Sequence, residues 1–264
     1  MTMNRYRVKP GQHVKLSDWD PNVTGAFDGG KDEGAARLVE LQDELSELQE
    51  LLYAEHRHRL LVVLQGMDAS GKDGTIRYVF KGVNPQGVRV TSFKVPSERE
   101  LDHDYLWRVH QHTPGKGEIA IFNRSHYEDV VVTRVMGLIT RPVWEQRYAH
   151  INEFERMLAE EGTTILKFFL HIDQDEQWVR LRARLDNPKK RWKFRAGDLQ
   201  AREHWAKYAE AYEEAIAKTN TASAPWHIIP ANKKWYRNLV VATLIVEALR
   251  DLKMQYPTPE NLPP

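Results

Sequence analysis

The run Gly66-Met67-Asp68-Ala69-Ser70-Gly71-Lys72-Asp73-Gly74 has the residue types and spacing to hold a phosphate group. Gly66 and Gly71 reach backbone angles closed to other residues, so successive N–H groups can turn inward around an anion. Lys72 adds a mobile cation. In front of the loop, Leu60 to Leu64 is a charge-free apolar run that reads as a buried parallel strand. Behind it, Thr75 to Lys81 reads as a helix whose positive end faces the anion. A Gly-x-x-x-x-Gly-Lys pattern counts as evidence in that strand–loop–helix setting. Gly66, Ala69, Ser70, Gly71, Lys72, Asp73 and Gly74 are therefore the candidate phosphate contacts. Asp73 stands where a Ser or Thr hydroxyl ordinarily holds magnesium. The loop carries its own carboxylate, Asp68, and metal binding is expected to have moved there.

A second group of polar residues follows the short apolar run Ile119-Ala120-Ile121-Phe122. Asn123 ends that strand, where related loops place an acid that reaches magnesium. It can serve as a neutral oxygen ligand or as a hydrogen-bond donor. Ligands of open α/β sheets bind beyond the carboxyl ends of the strands, so Gly66 and Asn123 share an edge and Arg124 can reach a bound phosphate. Glu128 and Asp129 are both candidate metal ligands, and helix spacing points only one of them at the site. Lys94, after a second strand, and Arg134 are candidates for holding the second substrate.

The third group is Arg180, Arg182, Arg184, Lys189, Lys190, Arg191, Lys193 and Arg195, eight cations against the single acid Asp186 in sixteen residues. Such a segment suits a lid that closes over phosphates and excludes water. An acceptor that is itself a phosphate is already ionised near neutral pH and needs no general base; positioning and charge neutralisation suffice. Carboxylates for a metal together with many cations fit that chemistry better than transfer to an alcohol. Trp205, Tyr208 and Tyr212 recur at helical spacing and read as core. The histidine pairs His56/His58 and His110/His112 lack a third ligand partner.

These residues need a scaffold, and the pattern supplies one. Leu38, Leu41, Leu45, Leu48 and Leu52 mark a helix over 33–57. Strands are expected at 60–65, 88–93, 119–122, 163–172 and 226–230. Helices are expected at 97–110, opened by the capping box Ser97-Glu98-Arg99-Glu100, and at 141–161, from Asp198 to about Lys218, and 235–254. Strands alternating with helices predict a parallel five-stranded α/β sheet sandwiched by helices. One domain, 33–256, would carry the lid at about 177–197. Residues 1–32 read as an irregular arm in which Trp19 and Phe27 pack, and 257–264 as a flexible tail.

The 264 residues carry a net charge of +1, so a polyanion must meet a local basic patch. That balance speaks against a general nucleic-acid or membrane-surface binder. With 41% hydrophobic and 28% charged residues the chain can bury a core and keep a soluble surface. It holds no cysteine, which excludes disulfides and thiolate metal sites. No apolar run approaches membrane-spanning length and the first fifteen residues have no signal core, so a cytoplasmic location is expected.

The loop 66–74, the run Phe122-Asn123-Arg124-Ser125-His126-Tyr127-Glu128-Asp129-Val130, and Arg191-Trp192-Lys193-Phe194 followed by Asp198-Leu199 resemble the polyphosphate kinase 2 family over roughly residues 35–250. The resemblance implies a phosphate-loop kinase-like fold with a basic helical lid, and inorganic polyphosphate with Mg2+ as the means of phosphorylating nucleotides. It implies Asp68 on magnesium, Lys72 on the transferred phosphate, Arg124 on phosphates, and Arg184 with Arg191 in the lid. Many members have Asp-Arg-Ser-Trp where this chain has Asn123-Arg124-Ser125-His126. The form found here resembles the subgroup acting on both AMP and ADP, with Glu128 taking up the metal role that position 123 lacks. The implied function is phosphoryl transfer from polyphosphate to AMP and ADP, giving ADP and ATP, by a homodimer or homotetramer. An ATP-dependent nucleoside monophosphate kinase is the alternative, and a non-enzymatic polyanion-binding module the second.

Overall fold

The computed structural model describes residues 3–194, 197 and 202–258. Arg195, Asp198, Leu199 and the last six residues of the expected tail lie outside the described residues. Five strands form one sheet: β1 (Arg59–Gln65), β2 (Val88–Ser92), β3 (Ile119–Asn123), β4 (Thr163–His171) and β5 (Trp226–Pro230). Their order across the sheet is β2-β3-β1-β4-β5, and every pair is parallel. Parallel strands need crossovers, and the helices that provide them cover both faces. On one face α1 (Lys31–Glu55) and α2 (Lys72–Val79) pack with the C-terminal helix Lys234–Asp251. On the other, α5 (Glu128–Val135), α6 (Arg141–Glu160) and α8 (Trp205–Thr219) pack together. The short α3 (Glu98–Leu101), α4 (Trp107–His110) and α7 (Gln174–Asp186) complete the chain, and the C-terminal helix is α9.

Central strand β1 is inaccessible to water from Leu60 to Gln65, which is why its sequence is an apolar run and not an alternation. β2 closes one edge and is the most exposed strand, with Val90 about half exposed. Registry places Leu64 beside Asn123 on β3 and Phe168 on β4. The carboxyl ends of β1 and β3 are therefore neighbours, and both sequence motifs begin there.

Three of the departures from the sequence expectation have a local cause. The helix expected over 97–110 is two single turns, because Asp104 Oδ1 accepts the backbone N–H groups of Leu106 (2.9 Å) and Trp107 (3.1 Å) and restarts the chain. α2 begins at Lys72 instead of Thr75, since Gly71, at φ +103°, serves as its N-cap and the Thr75 N–H already reaches the Gly71 carbonyl. The arm packs through Tyr6, Val8, Val14 and Leu16, all buried, more deeply than through Trp19 and Phe27. Val8 N–H donates to the Trp226 carbonyl, so the arm borders β5. Further along, Asn22 and the Pro21 carbonyl bind Asn232.

Candidate active site

The loop after β1 folds back over its own lysine. Lys72 Nζ donates to the carbonyls of Gly66 (2.6 Å) and Met67 (3.3 Å) and to Ser70 Oγ (3.4 Å). Burial, with Arg124 nearby, lowers its ammonium from 10.5 to about 8. Gly66 has φ +147°, and a Cβ there would stand 2.7 Å from the Leu170 carbonyl. Ala69, at φ +64°, is a non-glycine residue in left-handed space. Such a conformation costs on the order of 1 kcal/mol and persists where neighbours enforce it.

The turn after β3 delivers the second set of groups. Arg124 has φ +65° and its N–H binds the Leu64 carbonyl at 3.1 Å. Ser125 Oγ accepts from Gln65 Nε2 (3.1 Å) and from the Tyr127 N–H (3.2 Å). His126 and Tyr127 point inward. Tyr127 OH and His126 Nε2 both meet Glu155 Oε1, at 2.8 and 3.2 Å, and Lys167 Nζ meets Glu155 Oε2 at 2.5 Å. With two successive residues anchored in the core, Arg124 and Glu128 on either side of them face outward to one place.

There the charged groups meet. Arg124 Nη2 lies 2.8 Å from Asp68 Oδ1, and Nη1 lies 3.1 Å from Glu128 Oε2. The attraction of Glu128 and then Asp68 outweighs burial and holds the guanidinium firmly protonated. Asp129, left open by the sequence, faces the opposite way, toward Arg108 and Arg147, each 3.9 Å distant. Burial raises its carboxyl to about 6. Asn123 Nδ2 donates to Asp73 Oδ1 at 2.8 Å, tying the two motifs together as a donor. A pocket between these groups is lined by Asp68, Arg124, Glu128, Gln177, Tyr208 and Tyr212.

Some sequence candidates lie elsewhere. Arg134 pairs with Glu214 (2.6 Å) and Glu210 (2.7 Å) and stacks 4.2 Å over Trp144, so α8 engages its charge outside the pocket lining. Lys94 is exposed, and its carbonyl accepts from Arg108 Nη1. Arg184 is half-buried on α7, and Arg191 is exposed with Nε donating to the Leu185 carbonyl. The basic run is not one surface. Gln177, Arg180 and Leu181 are buried against the body, so the N-terminal part of the expected lid is anchored.

Four residues at the site escaped the sequence reading. Gln177 Nε2 donates to the Asp68 carbonyl at 3.2 Å. Tyr212 OH reaches Gln65 Oε1 (3.3 Å) and the Gly66 carbonyl (3.4 Å), so an aromatic stripe read as core is also pocket wall. Tyr208 lines the same wall. Arg237, on an apolar helix, donates to the Ser70 carbonyl at 3.2 Å. A lone arginine among twelve buried positions of α9 was the available signal for it.

The donor set can hold a hard divalent cation. Asp68 and Glu128 present carboxylate oxygens at one pocket, and no cluster of three or more His, Cys, Asp or Glu suited to a metal occurs among the described residues. Mg2+ commonly takes one or two carboxylates and completes its shell with substrate phosphates and water, so two are sufficient.

A parallel sheet with a glycine loop, a loop acid and a guanidinium at one edge defines a phosphate-loop protein of the kinase-like class. The family description Polyphosphate kinase 2 (PPK2) matches residues 29–257, and the chain belongs to that family. It is 63% identical to the AMP/ADP-polyphosphate phosphotransferase of Meiothermus ruber, over 98% of this chain and 97% of that one. It is 43% identical to the ADP-polyphosphate phosphotransferase of Rhodopseudomonas palustris, over 96% and 91%. Its fold matches the crystal structure of polyphosphate kinase 2 from Arthrobacter aurescens TC1 with a TM-score of 0.94 and 44% identity, covering 97% of this chain and 92% of the other.

Proposed function

We propose that this enzyme transfers a phosphoryl group from inorganic polyphosphate to AMP and to ADP, with Mg2+. The observation that carries the reading is the pairing of Asp68 with Arg124 beside the loop: carboxylate and guanidinium from separate motifs meet where a phosphate chain would end. The names of the relatives above support the donor and both acceptors.

In this reading a terminal phosphate of the chain enters the nest of loop N–H groups and Lys72 leaves the carbonyls of Gly66 and Met67 for it. Asp68 and Glu128 would hold the cation, which when bound neutralises charge on the phosphate oxygens. An oxygen of the nucleotide's terminal phosphate attacks the terminal phosphorus of the chain. A new P–O bond forms, the anhydride P–O bond breaks, and the chain leaves one unit shorter. That acceptor oxygen is already ionised near neutral pH, since a phosphomonoester's second pKa is about 6. No proton need be removed, which suits a site whose catalytic charges are Arg124, Lys72 and the lid cations Arg184 and Arg191. Asn123 and Lys94 stand at the sheet edge as candidates for holding the nucleotide, and Arg134 acts there only if it exchanges its α8 carboxylates. A homodimer or homotetramer is the assembly that the resemblance to the family implies. No helix among the described residues is long and apolar enough to cross a membrane.

The test is an incubation of AMP with Mg2+ and either polyphosphate or ATP. ADP and then ATP should form with polyphosphate. Product with ATP alone would replace the donor assignment by that of a nucleoside monophosphate kinase. Binding without any turnover would leave a polyanion-binding module.

A further inference from the structure

A loop that turns successive N–H groups toward an anion turns carbonyls away from it, and buried carbonyls need donors. Two guanidinium groups supply them. Arg180 Nη1 donates to the carbonyls of Ala69 (2.9 Å) and Ser70 (2.8 Å), and Arg237 Nη1 reaches the Ser70 carbonyl at 3.2 Å. Both arginines are fixed from behind. Arg180 Nη2 donates to the carbonyls of Ala231 (2.6 Å) and Asn232 (3.0 Å), and its Nε to Glu176 Oε1 (2.6 Å). Arg237 Nε and Nη2 both donate to Asn238 Oδ1, at 3.1 and 2.8 Å. Both side chains are buried.

The loop glycines fit this arrangement. A Cβ at Gly71 would stand 1.9 Å from Arg237 Nη1, and one at Gly74 3.3 Å from Nη2. We propose that Arg180 and Arg237 are positioning residues that hold the Ala69 and Ser70 carbonyls outward and so preset the N–H nest before a phosphate arrives. Arg180 is then not a lid cation. Its five N–H donors are all spent on Glu176 and four backbone carbonyls, with none left for a substrate oxygen. Among these bonds Arg180 meets one carboxylate, Glu176, and Arg237 meets none, so positive charge accumulates under the loop. Burial and the nearness of Arg180 push the Arg237 guanidinium down to about 9, a strain that an anion in the nest relieves.

The inference deepens the proposed function and rests on the loop being the polyphosphate site. Tripolyphosphate is titrated into 15N-labelled full-length protein while the amide signals of Ser70, Gly71 and Lys72 are followed, and steady-state kinetics are run in parallel. In Arg180→Lys and Arg237→Lys, tripolyphosphate Kd and polyphosphate KM should each rise about tenfold or more, with the KM for AMP within about twofold. A merely structural role would lower Tm while leaving Kd and KM of the folded protein unchanged, and that result would overturn the proposal. Where Arg237→Lys does not fold, Asn238→Ala removes the acceptor that orients the guanidinium and is read the same way. Wild-type protein whose loop amides respond to tripolyphosphate but which never phosphorylates AMP would count against the function alone.

Discussion

The Arg124 guanidinium bridges two carboxylates, Asp68 Oδ1 at 2.8 Å and Glu128 Oε2 at 3.1 Å, joining residues 56 positions apart in sequence. This triad is a closed electrostatic unit until substrate arrives. Phosphates would compete for Arg124 and release both carboxylates, leaving them to a cation. Asp68→Ala should therefore reduce Mg-dependent turnover by on the order of 10² or more while the protein remains folded. Activity within a factor of a few of wild type, at unchanged Tm, would remove Asp68 from the reaction.

Lys72 makes binding pH-dependent. Its ammonium is lowered by burial from 10.5 to about 8, so between those values the unfolded chain binds more protons than the folded one. Stability contributed by this group therefore rises as pH rises through that window. A bound polyanion restores the charge, so tripolyphosphate binding should take up a proton and weaken above about pH 8. Calorimetry at about pH 8.5 in two buffers of different ionisation enthalpy reads the uptake directly. Identical heats in both would contradict it.

The buried Lys167–Glu155 pair supports the turn that carries Arg124 and Glu128. Lys167→Met would leave Glu155 charged and buried, at a cost of about 3–5 kcal/mol in urea unfolding. Adding Glu155→Gln should recover part of that loss. Full stability in Lys167→Met alone would show that the pair contributes nothing.

Under the proposed function Arg184 on α7 would meet phosphate charge in the transition state. Arg184→Ala should lower kcat by on the order of 10³ with little change in the KM for AMP. A change confined to KM would make it a binding residue.

Arg134 separates packing from binding. Its contacts with Glu210, Glu214 and Trp144 predict that Arg134→Gln lowers stability by about 1 kcal/mol. A rise in the KM for AMP at unchanged stability would instead place its charge on the nucleotide.

Much of the site was legible because it is encoded locally. The glycine loop, its lysine and its acid lie within nine consecutive residues, flanked by an apolar run and a helix. Arg124 and Glu128 likewise face one way because His126 and Tyr127 between them are drawn into the core. The choice between Glu128 and Asp129 was not legible, since adjacent helical residues differ only in the neighbours that receive them. Arg108 and Arg147 receive Asp129. The separate place of Arg180 within the basic run was not legible for the same reason. Arg180 has the same chemistry as Arg182, and only burial against Ala69, Ser70, Ala231 and Asn232 distinguishes it.

From its sequence alone this chain is committed to a parallel α/β sheet and a glycine loop at its edge, because strand hydrophobicity and glycine backbone freedom act over a few residues. Tertiary structure decided which charges share a space: Asp68 with Arg124, Asp129 with Arg108, and Arg180 and Arg237 with the back of the loop. Coulombic and hydrogen-bond energies depend on distance in space, and separation along the chain does not report it.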